Sequence, residues 1–164
     1  MKLASLGTIS HGTLRTEDLL HEFICELEWQ IRNNGEHFSR PENFADRDRL
    51  NNLVGEAQDC FAPDGSEIDP DKEEEASELV NETLPNALSE FAKPYCYFGA
   101  HEGDGSDFGY WPSHDSVEEL PAVENVEQGI ALQEPDYSTD FRIVNDHGNV
   151  TVYGADGSTL LEIV

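Results

Sequence analysis

Carboxylates are the side chains whose number and spacing point most clearly to chemistry in this sequence. Residues 64–84, DGSEIDPDKEEEASELVNETL, contain nine acids and one cation, Lys72. Like charges one helical turn apart repel by roughly 0.2 to 0.5 kcal/mol per pair. A segment of this kind is therefore expected either in a solvent that screens it or against a positive surface that neutralises it.

A second acidic group lies in the loop HEGDGSDFG, which holds four potential metal ligands: His101, Glu102, Asp104 and Asp107. Calcium and magnesium accept such oxygens, but neither this loop nor DPDKEEEASE has the glycine and terminal glutamate at EF-hand offsets. The six histidines are scattered, and no pair has the spacing of a helical metal site. We expect no metal and no cofactor, with a calcium-binding module as an alternative.

Catalytic motifs are missing from the chain. It has no G-x-S-x-G elbow, no Walker loop and no Rossmann fingerprint. Acids are so numerous that some pair will reach general acid–base distance by chance, so pairing carries no information. The cysteines, Cys25, Cys60 and Cys96, are far apart and odd in number, which favours reduced thiols. We therefore expect a protein that is not an enzyme.

The charge is large and unevenly placed along the chain. The formal net charge of −26 in 164 residues argues against direct binding of nucleic acid or an anionic membrane. Residues 1–62 have 11 acids and six bases, whereas residues 63–164 have 24 acids and three bases. Salt adaptation should coat both parts alike, so the asymmetry favours a field directed at a partner. Because no apolar run has the length of a membrane span or a signal peptide, we expect a cytoplasmic protein.

Two helices are predicted in the first third of the chain from apolar residues at helical spacing. The first covers residues 16–34, with Thr16 as its cap and the acids Glu17 and Asp18 at its positive end. The second covers residues 45–61. Both should bury one apolar face.

A third helix should begin near residues 69–71 and carry the acidic segment. Its apolar period continues across Pro85, which predicts either two short helices or one helix kinked there. Glu74, Glu78 and Glu82 are four residues apart, which predicts a solvent-facing row of carboxylates.

From Pro94 onward the pattern becomes typical of β-structure. PYCYFGA and DFGYWPS are predicted as two strands around HEGDGSD, and STDFRIVND, GNVTVYG and STLLEIV as a three-stranded meander. The segment SVEELPAVENVEQGIALQEPDY is ambiguous between a strand and a short helix. The prediction is a single α+β domain over residues 1–164, mainly helical over 1–92 and mainly β over 93–164. About three helices precede one antiparallel sheet.

Two segments of the β part, YFGAHEGDGSDFGYWPS (97–113) and GNVTVYGADGSTLLEIV (148–164), are similar to segments of small bacteriophage proteins. The acidic character resembles that of phage anti-defence inhibitors, including anti-CRISPR and anti-restriction DNA mimics. The resemblance implies an inhibitor that presents carboxylates to the basic nucleic-acid-binding groove of a host defence complex. A CRISPR effector is the first expected partner and a restriction enzyme the second.

The spacing of acids on a helix suits such mimicry. Residues four apart are separated by ~6 Å along the axis, comparable to neighbouring phosphates on one strand, whose axial spacing is ~3.4 Å before the helical path is counted. The main predicted contact residues are Glu73, Glu74, Glu78 and Glu82. A second predicted group consists of Asp104, Asp107, Asp115, Glu118 and Glu119.

Two aromatic residues beside the second group, Tyr110 and Trp111, are candidate apolar anchors of the interface. For Trp111, packing in the core is the alternative. A halophilic or general acidic structural or interaction protein remains the alternative to the inhibitor as a whole.

Overall fold

The computed structural model describes residues 1–65, 67–133 and 138–164, and the chain divides into two units. Unit 1 comprises Met1–Ala92 and Phe98–Trp111, and unit 2 comprises Lys93–Tyr97 and Pro112–Val164. Helices and two small antiparallel sheets confirm the predicted α+β class. Among the described residues, no helix combines the length and apolar character needed to cross a membrane.

The helices of unit 1 are α1 (Thr16–Asn33), α2 (Gly35–Phe38), α3 (Phe44–Gln58), α4 (Glu73–Glu78) and α5 (Leu84–Ser89). The first two predicted helices are confirmed as α1 and α3, and their apolar faces are buried. The predicted cap at Thr16 is wrong, because Thr16 is already helical and Arg15 takes the cap position. Thr13 instead joins the start of the helix, donating a hydrogen bond of 2.7 Å to Asp18.

The third predicted helix is a composite of several helical types. A 3₁₀ turn at Pro70–Lys72 precedes α4, and a π-helical turn at Leu79–Thr83 connects α4 to α5. The π turn ends just before Pro85, which has no N–H to donate and whose ring clashes with the carbonyl four residues back in a regular helix. The acidic segment therefore contains two short α-helices, which is one of the two predicted arrangements, and the π turn joins them without an intervening loop.

The first sheet contains β1 (Gly7–His11), β2 (Cys96–His101) and β3 (Asp104–Pro112) in the order β1-β3-β2. The predicted hairpin is confirmed as β2 and β3, but the prediction of one C-terminal sheet is wrong, because the N-terminal β1 pairs antiparallel with β3. A hairpin alone is marginally stable, and a third strand with a covering helix supplies what it needs. Phe23 of α1 provides this cover, since its ring lies 5.0 Å from that of Phe98.

Unit 2 contains α6 (His114–Glu118), α7 (Val126–Ala131), β4 (Phe141–Val144), β5 (Val150–Tyr153) and β6 (Thr159–Ile163). The predicted meander is confirmed as the antiparallel sheet β4-β5-β6. The ambiguous segment before it forms α6 and α7, and its residues 134–137 lie outside the described part. Phe141 is fully buried, and its ring occupies the space where a side chain at position 129 would lie, so Gly129 is required there.

Candidate acidic interface

Four predicted contact residues of the third helix lie together on its outer side. Glu73, Glu74 and Glu78 belong to α4 and Glu82 to the π turn, and all four are exposed. We call these four residues the acidic ridge. The other side of the same helix is buried in the core of unit 1 and consists of Ala76, Leu79, Val80 and Leu84. Amphipathic packing therefore fixes the ridge toward solvent.

The regular spacing predicted for the ridge holds over its first part. Glu74 and Glu78 are one α-helical turn apart, at ~6 Å along the axis. Glu82 belongs to the π turn, whose hydrogen bonds span five residues instead of four, so its direction differs from that of a straight α-helical row. The comparison with evenly spaced phosphates therefore applies to two of the three predicted positions.

The cation that precedes the ridge in sequence, Lys72, does not neutralise the ridge carboxylates. Lys72 Nζ lies 2.5 Å from Glu75 Oε2, and this hydrogen bond raises the pKa of Lys72. Glu75 is not a ridge residue. Within the described part of the chain, no lysine, arginine or histidine nitrogen lies within 4.0 Å of a ridge carboxylate. The ridge therefore presents uncompensated negative charge.

An acidic groove adjoins the ridge in unit 1. It consists of two neighbouring cavities of about 640 and 590 Å³ that share Arg15, Glu17 and Glu67. Its carboxylates are Glu17, Asp18, Glu22 and Glu67, and Glu73 of the ridge lies at its edge. Arg15, the cation of this lining, forms an ion pair with Glu17. The ridge and the groove together form one acidic surface.

The sequence did not identify the groove. Glu17 and Asp18 are typical of the first turn of a helix, where acids interact favourably with the helix dipole. Glu67 lies in a turn-rich segment far from them in sequence, and it reaches α1 because Phe61 and Ile68 pair and fold that segment back. No spacing rule brings these acids together, so tertiary packing alone reveals the groove.

Asp104 of the second predicted group lies near the groove. Hydrogen bonds from Ser106, and to a smaller extent His11, hold the pKa of the Asp104 carboxyl below its usual value. His11 Nε2 lies 3.5 Å from Asp104 Oδ2, and His11 lines the groove. Asp107 is half-buried, and its Oδ1 has no hydrogen-bond partner. Asp104 is thus the member of this pair that faces solvent.

The rest of the second group belongs to unit 2. Asp115 and Glu118 lie on α6 and Glu119 follows it, and all three are exposed. The structure therefore divides the predicted second group between the two units. Of its two members in unit 1 only Asp104 is exposed, whereas the three acids of unit 2 form a small exposed cluster.

The predicted aromatic anchors have other roles. Tyr110 is 1% exposed, so the prediction that it forms an apolar anchor on the surface is wrong. Trp111 is half-buried and its indole N–H donates a hydrogen bond of 3.0 Å to the Gly99 carbonyl. Its ring centroid lies 4.7 Å from that of His101. These contacts match the alternative that Trp111 packs within the protein. Trp29, which the sequence did not single out, is 48% exposed.

The uneven charge along the chain does not become an uneven charge between the units. Unit 1 has 24 acids and seven bases in 106 residues, and unit 2 has 11 acids and two bases in 58. Both units therefore carry about one net negative charge per six residues. A field directed at a partner would therefore come from the local arrangement of the ridge and groove, not from the asymmetry of the sequence.

Chemically, the ridge and groove offer exposed carboxylates to cations and basic side chains. No group of three or more His, Cys, Asp or Glu side chains in residues 1–65, 67–133 and 138–164 is arranged to hold a metal ion. Comparison of the chain with protein-family models, with curated proteins and with solved structures found no match.

Proposed function

We propose that this protein is a phage-type inhibitor that occupies the basic nucleic-acid-binding groove of a host defence complex. The proposed target is a CRISPR effector first and a restriction enzyme second. The observation that carries the proposal is the acidic ridge, whose exposed carboxylates have no cation within 4.0 Å among the described residues, together with the acidic groove that adjoins it.

The physical basis of such binding is the same as for a polynucleotide. A basic groove holds counterions, and an anionic ligand that replaces them gains the free energy of their release. Opposite potentials also steer the two proteins together and raise the association rate. The ridge suits this role because Glu73, Glu74 and Glu78 are fixed on an amphipathic helix whose other side is buried.

Displacement of nucleic acid from the target tests the proposal. A fluorescently labelled guide or target strand is bound to the effector, and this protein is added while anisotropy is recorded. We expect the bound fraction of the strand to fall to zero, and pre-bound strand to slow association of the inhibitor. A stable ternary complex, with anisotropy unchanged at saturation, would reject occupation of the groove.

A halophilic or general acidic structural protein is the second candidate. The equal charge density of the two units favours it, because salt adaptation spreads carboxylates over the whole surface. Such a protein loses order in dilute buffer, where its own charges repel one another unscreened. Far-UV circular dichroism at rising salt separates the candidates.

The inhibitor is expected to show its full helical signal in dilute buffer, with little change up to molar salt. A signal that is lost in dilute buffer and regained in molar salt would favour salt adaptation instead. Thermal denaturation at each salt concentration provides a second measure of the same difference.

A further inference from the structure

A small cavity of about 250 Å³ in unit 1 lies outside the proposed acidic surface. Its lining includes the polar side chains of Ser5, of Glu26 and Gln30 from α1 and of Tyr110 from β3, together with Trp29. Drug-sized ligands occupy cavities of roughly 300 to 1,000 Å³. A cavity of this size suits a single side chain or a small organic ion.

The polar atoms of the cavity are incompletely paired. Gln30 is 1% exposed, and its Nε2 donates a hydrogen bond of 2.8 Å to Glu26 Oε1, but its Oε1 has no hydrogen-bond partner. The Tyr110 hydroxyl is also buried, and it interacts with the side chains of Glu26 and Gln30. Buried polar atoms are nearly always paired in native proteins, because an unmade hydrogen bond is costly. The unpaired amide oxygen of Gln30 therefore points to a bound group.

The free atoms define the chemistry of that group. The Gln30 amide oxygen and the Glu26 carboxylate both accept hydrogen bonds, and the phenol oxygen of Tyr110 has lone pairs as well. Burial raises the pKa of Glu26, and burial followed by the charge of Glu26 raises the pKa of Tyr110, so the two groups share one poorly solvated environment. A ligand that completes this site must bring donors and positive charge.

A guanidinium matches these demands better than an ammonium. It carries five N–H donors in a plane and no acceptor, it is more weakly hydrated, and it stacks on aromatic faces. Trp29 lines the cavity and is 48% exposed, so its indole is accessible for such stacking.

We propose that this cavity binds the guanidinium of an arginine side chain, with Glu26 and Gln30 accepting its hydrogen bonds and Trp29 stacking against it. The arginine would come from a partner protein. That this partner is the basic defence protein rests on the proposed function, whereas guanidinium binding itself does not.

Titration by NMR tests the proposal with the isolated protein. The probe is N-acetyl-arginine methylamide, and the readout is the indole N–H resonance of Trp29, assigned with a Trp29→Phe variant. The Trp111 indole serves as an internal reference because it is held by the Gly99 carbonyl. The matched probes are the citrulline and lysine analogues at constant chloride and ionic strength.

We expect the Trp29 resonance to shift saturably with the arginine probe while Trp111 stays in place. The citrulline analogue, which has the same shape without the charge, should give no saturable shift, and the lysine analogue should bind more weakly. A shift that does not saturate, or one that citrulline reproduces, would overturn the proposal.

Substitution of Glu26 provides a second test of arginine binding. Glu26→Gln is expected to weaken arginine binding at least tenfold. The raised pKa of Glu26 means that its ionised form is disfavoured in the folded protein, so the variant should be no less stable than the parent at neutral pH. Any stability gain should vanish as pH falls and the native carboxyl becomes protonated.

The matched control is Glu36→Gln on α2, which is exposed, does not line this cavity and should leave the Trp29 titration unchanged. If Glu26→Gln failed to fold, Gln30→Leu would replace it and should also weaken binding. Unchanged binding in a folded variant, or equal weakening by Glu36→Gln, would refute the site. Because no residue of the ridge or groove is changed in this titration, its outcome is independent of the nucleic-acid displacement experiment.

Discussion

Reversal of Glu74, Glu78 and Glu82 to lysine is expected to weaken binding of the target by about 100-fold. Each substitution removes one attraction and adds one repulsion. At roughly 0.5 kcal/mol for each exposed charge contact, six such changes amount to about 3 kcal/mol, which corresponds to two orders of magnitude in Kd. The three side chains are exposed on a helix whose buried face is untouched, so the fold should survive. Calorimetry or biolayer interferometry measures the change.

A control variant of equal net charge distinguishes the contribution of the ridge to affinity from that of the overall charge. Glu36, Glu42 and Asp46 are exposed and lie, in that order, on α2, on a 3₁₀ turn at Pro41–Asn43 and on α3. Their reversal to lysine changes the charge of the protein by the same amount and should weaken binding only a few-fold. If both triple variants lose affinity equally while their circular dichroism spectra stay native, net charge and not the ridge directs binding.

Substitution of Gly109 by alanine is expected to destabilise unit 1 strongly. A Cβ at this position of β3 would lie 2.1 Å from the backbone oxygen of Gly7 on β1, so the two strands must separate. Overpacking that forces the backbone to move costs about 3 kcal/mol. For a protein of this length, this amounts to a fall in Tm of about 6 to 12 °C.

Gly105 provides the matched control on the same strand. A Cβ there meets nothing within 4 Å, so Gly105→Ala should change stability by less than about 0.5 kcal/mol. Differential scanning calorimetry of both variants checks the difference. Equal Tm values would show that β1 and β3 are not held as closely as the structure indicates.

Periodicity of apolar residues predicted much of the fold, because a buried helical face leaves a clear pattern. α1 and α3 follow from it, and so does the burial of one side of the acidic helix. β1 was not predicted, because a five-residue strand that pairs with a hairpin distant in sequence has little local pattern. The π turn was not predicted either, since it depends on how the chain accommodates Pro85 within a packed helix.

The candidate interface was predictable only in part, for a similar reason. The ridge lies on one helix, and residue spacing alone brings its members together. The groove joins Glu17 and Glu67 from segments distant in sequence, and only the packed structure shows their proximity. Tyr110 looked like a surface anchor from its acidic neighbours, but it is buried and its ring packs against that of Phe98 on β2, with centroids 5.0 Å apart.

The charge asymmetry of the sequence also changes meaning once the chain is folded. The mildly acidic first 62 residues and the strongly acidic segment 64–84 belong to the same unit, together with much of the β2–β3 hairpin. Their charges average out within unit 1, and the remaining residues of unit 2 reach the same density. The position of the acids along the chain therefore did not predict how their charge is distributed in the folded protein.

The most direct test of the acidic surface is the salt dependence of its complex with the target. Kd is measured at several concentrations of potassium chloride between about 50 and 200 mM, the range over which contacts that release counterions respond strongly. We expect Kd to rise at least about tenfold over this range for the native protein, and we expect the triple ridge reversal to remove most of this dependence. A tight complex whose Kd stays constant across the range would refute charge mimicry and would place the interface on an uncharged surface.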